Sequence, residues 1–183
     1  MKDIQSIKVI DDFLVSENVH LPLSDMWVEP ELQRISSLCY LESNGKLLML
    51  QRRKEPFQGF WTAPGGKLEP SEEPRQTIIR EIWEETGLTL ESPTLKVITS
   101  ETGEGRDYNW LVFIFLAHDF SGSLKESDEG ALQWIPKSHL LDCFIPDVDH
   151  KLLPLIFDEE KRYFVRLSYN HLHQVDTLHS TLL

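Results

Sequence analysis

Glu81, Glu84 and Glu85 are spaced i, i+3, i+4, which stacks three carboxylates on neighbouring positions of one helical face. Unpaired, they repel one another. Hard divalent cations such as Mg²⁺ take oxygen ligands and bind a few carboxylates together with substrate phosphates, so this cluster is shaped to become a metal site. The alternative for a bare E-x-x-E-E is a solvated acidic face with i, i+4 partners. Arg80, beside the cluster, carries a planar fork that can hold a carboxylate on two bonds, and it is read as the residue that orients Glu72 or Glu81. Glu72 stands just before the helix, where an anion is also favoured by the N-terminal dipole. Gly65 and Gly66 allow backbone to approach a metal or phosphates closely.

These residues need a helix and an open loop to carry them. From Pro74 to Thr86 the pattern is helical, with Ile78, Ile79, Ile82 and Trp83 on one arc and Arg80, Glu81, Glu84 and Glu85 on the opposite one. Gly87 supplies the positive-φ stop. Upstream, Ser36–Leu41 and Lys46–Gln51 flank Asn44-Gly45, a hairpin signal. Phe57–Gly66 holds three aromatics and then Pro64-Gly65-Gly66, a turn leading into a backbone-exposed loop. Downstream, 94–99, 110–117, 131–135 and 162–169 read as strands, 137–143 as a helical turn after Pro136, and 150–157 as a helix interrupted by Pro154. Residues 1–33, broken at Pro30, read as an ordered N-terminal appendage with one or two short strands, packed on a main domain of residues 34–170. Residues 171–183 read as a C-terminal tail.

Composition sets limits on partners. The 183 residues include 30 acidic and 18 basic side chains, a net charge of −12, which disfavours a general electrostatic grip on duplex nucleic acid. An anionic substrate then needs help from a metal. With 40% hydrophobic and 26% charged residues the chain sits among folded globular proteins. Its two cysteines, Cys39 and Cys143, lack a C-x-x-C partner and read as reduced thiols. No apolar run approaches a membrane span and the start lacks a signal-like apolar core, so a cytoplasmic protein is expected.

Gly66, Glu72, Arg80, Glu81, Ile82, Glu84, Glu85, Gly87 and Leu88 together satisfy G-x5-E-x7-R-E-U-x-E-E-x-G-U, where U is apolar. This stretch resembles the signature of the Nudix hydrolases at every defined position, read as loop-helix-loop. The resemblance implies an α/β (α+β) Nudix fold, with a mixed β-sheet sandwiched between helices. It also implies attack of water on a phosphoanhydride of a nucleoside diphosphate derivative, with Mg²⁺, or Mn²⁺ in its place, polarising the phosphates. By the same resemblance the Gly66 carbonyl, Glu81, Glu84, Glu85 and Glu129 are metal ligands, and Glu72 is a supporting carboxylate. The general base is Glu81 or Glu129, because family members place it either in the helix or on a later loop.

Glu129 lies in Glu126-Ser127-Asp128-Glu129-Gly130, ahead of Trp134-Ile135-Pro136, an arrangement similar to that of the Nudix enzymes that sanitise oxidised purine nucleoside triphosphates. Read without the resemblance, the run is a solvated acidic loop. The likeness to the MutT-type and mammalian oxidised-purine enzymes extends through Gln51-Arg52-Arg53, Gly59-Phe60-Trp61 and Ile145-Pro146-Asp147-Val148-Asp149. It implies hydrolysis of a nucleoside triphosphate to monophosphate and pyrophosphate, with 8-oxo-dGTP or another oxidised purine nucleotide as candidate. Thr62 departs from the asparagine of the mammalian enzyme, Ile145 from its tryptophan, and Val148 separates two aspartates that are adjacent there. Asp147 and Asp149 therefore read either as purine contacts or as caps after Pro146. Phe57, Phe60 and Trp61 stack on a base or pack a core, and Arg52 or Arg53 reaches phosphate. The candidate substrate-binding set is Arg52, Phe57, Trp61, Thr62, Asp147 and Asp149. The other readings are a nucleotide-sensing module, and a Nudix hydrolase acting on another nucleoside diphosphate derivative or an RNA 5′ end. A homodimer built through the N-terminal segment is expected.

Overall fold

The computed structural model describes residues 4–21, 33–55, 57–104 and 108–183. Its centre is β7 (Asn109–Ala117), whose buried residues alternate between two cores. Leu111, Phe113, Phe115 and Ala117 face one core, while Val112, Ile114 and Leu116 face the other. A strand apolar on both faces must be covered on both, and here helices supply the cover.

Around β7 lie β1 (Gln33–Ser43), β2 (Lys46–Arg52), β3 (Trp61–Thr62), β6 (Thr94–Gly103), β10 (Tyr163–Tyr169) and β11 (Val175–Leu182). They run in the order β11-β10-β6-β7-β1-β2-β3, with β4 (Gly65–Lys67) paired to β1 and β9 (Gly130–Pro136) to β2. The β1–β7 and β6–β10 pairs are parallel and the others antiparallel, so the sheet is mixed. A small second sheet joins β5 (Leu88–Leu90) to β8 (Phe120–Gly122). The β1–β2 hairpin turns at Asn44 (φ 51°) and Gly45 (φ 71°), the two left-handed residues that a tight hairpin turn needs.

Helix α1 (Ile4–Ser16) and helix α2 (Pro74–Thr86) cover one face; helix α3 (Asp147–Ile156) covers the other, next to a 3-10 turn at Lys137–Asp142. The N-terminal segment corrects the expectation of strands. Ile10, Phe13 and Leu14 recur at helical spacing and are each 1% exposed, whereas Val15 points outward. Phe13 meets Phe113 edge-on at 5.6 Å. Residues 22–32, including Pro30, lie outside the described residues. At the other end, residues 175–182 do not form a loose tail: they pair with β10 across a turn in which Asn170 Oδ1 accepts from the amides of Leu172 and Gln174. No helix among the described residues is long and apolar enough to cross a membrane.

Candidate active site

Helix α2 begins at Pro74, whose missing N–H costs nothing at a helix start, and the Glu73 amide donates to Gln76 Oε1 at 3.2 Å. It ends at Gly87, which takes φ 78° and returns its amide to Trp83 O. Ile78 and Ile82 are fully buried against the sheet. Trp83 is not: expected on the apolar arc, it is 56% exposed and lies under Lys125 Nζ, 4.9 Å from the ring centroid. Glu85 rotates the other way, into partial burial.

Arg80 is the hub of the helix's polar side. Its Nε and Nη2 donate to the two oxygens of Glu72 at 2.9 and 2.8 Å, and its Nη1 donates to Glu81 Oε1 at 2.9 Å and Glu84 Oε2 at 3.2 Å. The fork lowers the Glu72 carboxyl from its ordinary value, helped by Thr77 and the Glu69 amide. The Arg80 charge is reinforced in turn, first by Glu72 and then by Glu81. Glu81 moves the opposite way: burial raises its carboxyl despite Arg80, and Glu84 and Glu72 push in the same upward direction. Glu85 accepts the Gly65 amide at 2.9 Å, yet burial, with Glu81 and Glu129 nearby, pushes it up to about 7.

Strand β4 brings the glycines under this cluster. Gly65 and Gly66 pair with Leu38 and Ser37 of β1. A Cβ on Gly66 would collide with the Glu81 carboxylate, so the absence of a side chain is what lets the carboxylate and the backbone meet. Glu129 approaches from the β8–β9 loop, anchored by the Arg53 amide donating to its carbonyl, and its side chain pairs with Lys54 at 3.3 Å.

Glu81, Glu84, Glu85 and Glu129 open onto one cleft of about 1540 Å³. Among the described residues no three acidic, His or Cys side chains are already gathered as a metal shell. The reason is visible in the pairing: Glu81 and Glu84 are turned to Arg80, Glu85 to Gly65 and Glu129 to Lys54. The donor set nonetheless fits a hard divalent cation, since it is carboxylates beside a bare glycine backbone, with one carboxyl raised first by burial and then by the carboxylates around it.

Arg52, Phe57, Thr62, Asp147 and Asp149 also line the cleft. Trp61 does not; it packs against the core on the α3 side. Thr62 Oγ1 is buried with no hydrogen-bond partner among the described residues. Asp147 is engaged structurally: its Oδ2 accepts the Val175 amide at 2.9 Å and its Oδ1 pairs with Lys151. Asp149, hydrogen-bonded to Tyr40, is pushed up to about 7 by burial and by the Glu101 carboxylate.

Other cleft residues escaped the sequence reading. Phe144 stacks on Phe60 at 3.7 Å between centroids, and Phe57 meets Phe60 edge-on at 5.8 Å, making an aromatic wall. Arg34, Glu101, Tyr108 and Trp110 also line the cleft. The signal that finds them is strand register, which only the folded sheet supplies. Cys39 is buried and Cys143 half-buried, and both are free thiols.

The sequence pattern of the NUDIX domain matches residues 32–156. The chain is 40% identical over 107 residues to an uncharacterized Nudix hydrolase, YvcI, of Bacillus subtilis, an alignment spanning 56% of this chain and 65% of that protein. It is 32% identical over 130 residues to the mouse 8-oxo-dGDP phosphatase NUDT18, spanning 68% of this chain and 39% of the relative. It thus spans less than two thirds of either relative's length. A MutT protein of Bacillus halodurans superposes with a TM-score of 0.73 at 30% identity, covering 80% of this chain and 97% of that one. With a domain pattern matched over most of its length and the mixed sheet between helices that the pattern specifies, the chain belongs to the Nudix family.

Proposed function

We propose that the protein is a Mg²⁺-dependent pyrophosphohydrolase that cuts a nucleoside triphosphate to the monophosphate and pyrophosphate, with oxidised purine nucleotides as preferred substrates. The observation that carries this reading is one shared cleft: the carboxylates of Glu81, Glu84, Glu85 and Glu129 occupy one part of it, and the aromatic wall of Phe57, Phe60 and Phe144 another. Relatives named for 8-oxo-dGDP and for CTP support a nucleotide as ligand.

The Gly66 carbonyl, Glu81, Glu84, Glu85 and Glu129 would hold the cation. When bound, it neutralises phosphate charge and makes water acidic enough to attack at neutral pH. The chain's own residues do the rest. Arg80 holds Glu72 and Glu81 on one guanidinium, with Glu81 against Gly66. Glu81 or Glu129 accepts the proton of the attacking water. Arg52 faces the phosphates from the end of β2, and the aromatic wall stacks on the base.

The test is a nucleotide panel with and without Mg²⁺, scored by pyrophosphate and phosphate release. Glu81→Gln is expected to lower kcat by about a hundredfold or more with an unchanged melting temperature. Full turnover in that variant, or no hydrolysis of any nucleotide by the native protein, would defeat the proposal.

A further inference from the structure

Arg34 on β1, Trp110 on β7 and Glu101 on β6 form one row across three adjacent strands, since Arg34 pairs with Trp110 and Trp110 with Glu101. Residues paired directly across strands project from the same face, and all three open onto the cleft. The Arg34 guanidinium lies 3.6 Å over the Tyr108 ring, and Trp110 meets that ring edge-on at 5.7 Å. Stacking holds the fork while leaving its N–H edges able to donate. Among the described residues no carboxylate pairs with Arg34, although the chain carries a net charge of −12.

At the other end of the row Glu101 is 9% exposed, its oxygens accepting from Thr99 at 2.7 Å and Tyr169 at 2.8 Å. Asp149 lies close enough to Glu101 for the two charges to repel. Buried carboxylates on the floor oppose a polyanion, so the fork at Arg34 is poorly placed for phosphates and well placed for a neutral planar group. That group must accept from Arg34 at one edge and donate to Glu101 at another. Two strand spacings separate the ends of the row by about 10 Å, room for a bicyclic ring with a hydrogen bond on each side.

We propose that Arg34 and Glu101 read the base in this cleft and that they select a 6-oxopurine. The O6 shared by guanine and its oxidised forms accepts both arms of the arginine fork, and the N1–H and 2-amino group donate to the carboxylate. Adenine presents its 6-amino donor to the fork instead, and a pyrimidine does not reach both ends. The inference rests on the cleft being the nucleotide site proposed above.

Calorimetric binding of dGMP and dAMP tests it separately from catalysis, because neither contains a phosphoanhydride. The native protein is expected to bind dGMP at least tenfold more tightly than dAMP. Arg34→Met, at an exposed position, is expected to erase that preference by weakening dGMP alone, and Arg34→Lys, which keeps the charge without the fork, is expected not to restore it. Glu101→Gln is expected to weaken dGMP as well. Because Glu101 is buried, a variant of it that unfolds leaves the decision to the Arg34 pair. Equal affinities in the native protein, no binding of either monophosphate, a preference that survives Arg34→Met, or its restoration by lysine would each overturn the assignment. Retained base preference with no hydrolysis of any nucleotide would instead sink the catalytic proposal alone.

Discussion

Asp149→Asn should stabilise the protein at alkaline pH and do little at acidic pH. The carboxyl is displaced from 3.8 to about 7, first by burial and then by Glu101, with the Tyr40 hydrogen bond acting the other way. For an acid whose folded value lies above its unfolded one, the folded state holds the proton more tightly. Stability therefore falls as pH rises from about 4, and the loss is complete above about 7. Each unit of displacement corresponds to about 1.4 kcal/mol, which gives about 4 kcal/mol before solvent screening and about 2 kcal/mol for a half-buried group. Asparagine retains an oxygen for Tyr40 and removes the charge. Urea denaturation of both proteins at about pH 4.5 and about pH 8.5 should show the variant gaining about 2 kcal/mol between the two conditions, or about 4 to 8 °C in Tm. Equal differences at both pH values would refute the reasoning, because a packing effect does not titrate.

Three further perturbations probe the scaffold. Gly66→Ala places a Cβ where the Glu81 carboxylate now lies, and activity on the best nucleotide of the panel is expected to fall by at least about a hundredfold while circular dichroism stays native. Arg80→Lys keeps one charge but cannot hold both oxygens of Glu72, so kcat should drop and the Glu72 carboxyl, followed by NMR titration, should rise toward its ordinary range. Phe13→Ala empties a fully buried site against Phe113 and is expected to cost about 3 to 5 kcal/mol in denaturant unfolding; light scattering on the same pair of proteins tests whether the N-terminal helix also supports a dimer.

Helix α2 was legible to the residue because every signal agreed: Pro74 at its start, Ile78 and Ile82 inward, Gly87 at its end. The β1–β2 hairpin was legible from Asn44-Gly45 for the same reason. Helix α1 was hidden because Ile7, Val9 and Val15 dilute the Ile10-Phe13-Leu14 spacing with β-formers, and only the partner surface around Phe113 decides which of these residues is inside. Trp83 failed at a boundary, because it sits next to the correctly placed Ile82 and one step of helix rotation sends it outward, whereas Trp61 takes the core-packing one of the two readings the sequence left open. Arg34 and Glu101 carry no local signal at all. They become neighbours through β7, and a parallel and an antiparallel pairing must both be known before they share a row.

The electrostatics of the cleft point the same way from both ends. Glu85, on α2, and Asp149, at the start of α3, are both raised to about 7, and in each case burial is the first cause and another carboxylate contributes. Such groups lower the stability of the protein near neutral pH, and a ligand of matching chemistry would offset that cost. A divalent cation would compensate at Glu85, and a hydrogen-bond donor edge would do so at the carboxylates of Glu101 and Asp149. The two ligands therefore differ in chemistry as the two ends differ in donors. If both ends are occupied by one Mg²⁺-nucleotide, adding metal and nucleotide together should raise Tm by more than either alone, and the extra gain should be larger at about pH 8.5 than at about pH 5. A gain that is simply the sum of the two, at every pH, would mean that the ends of the cleft act as unconnected sites.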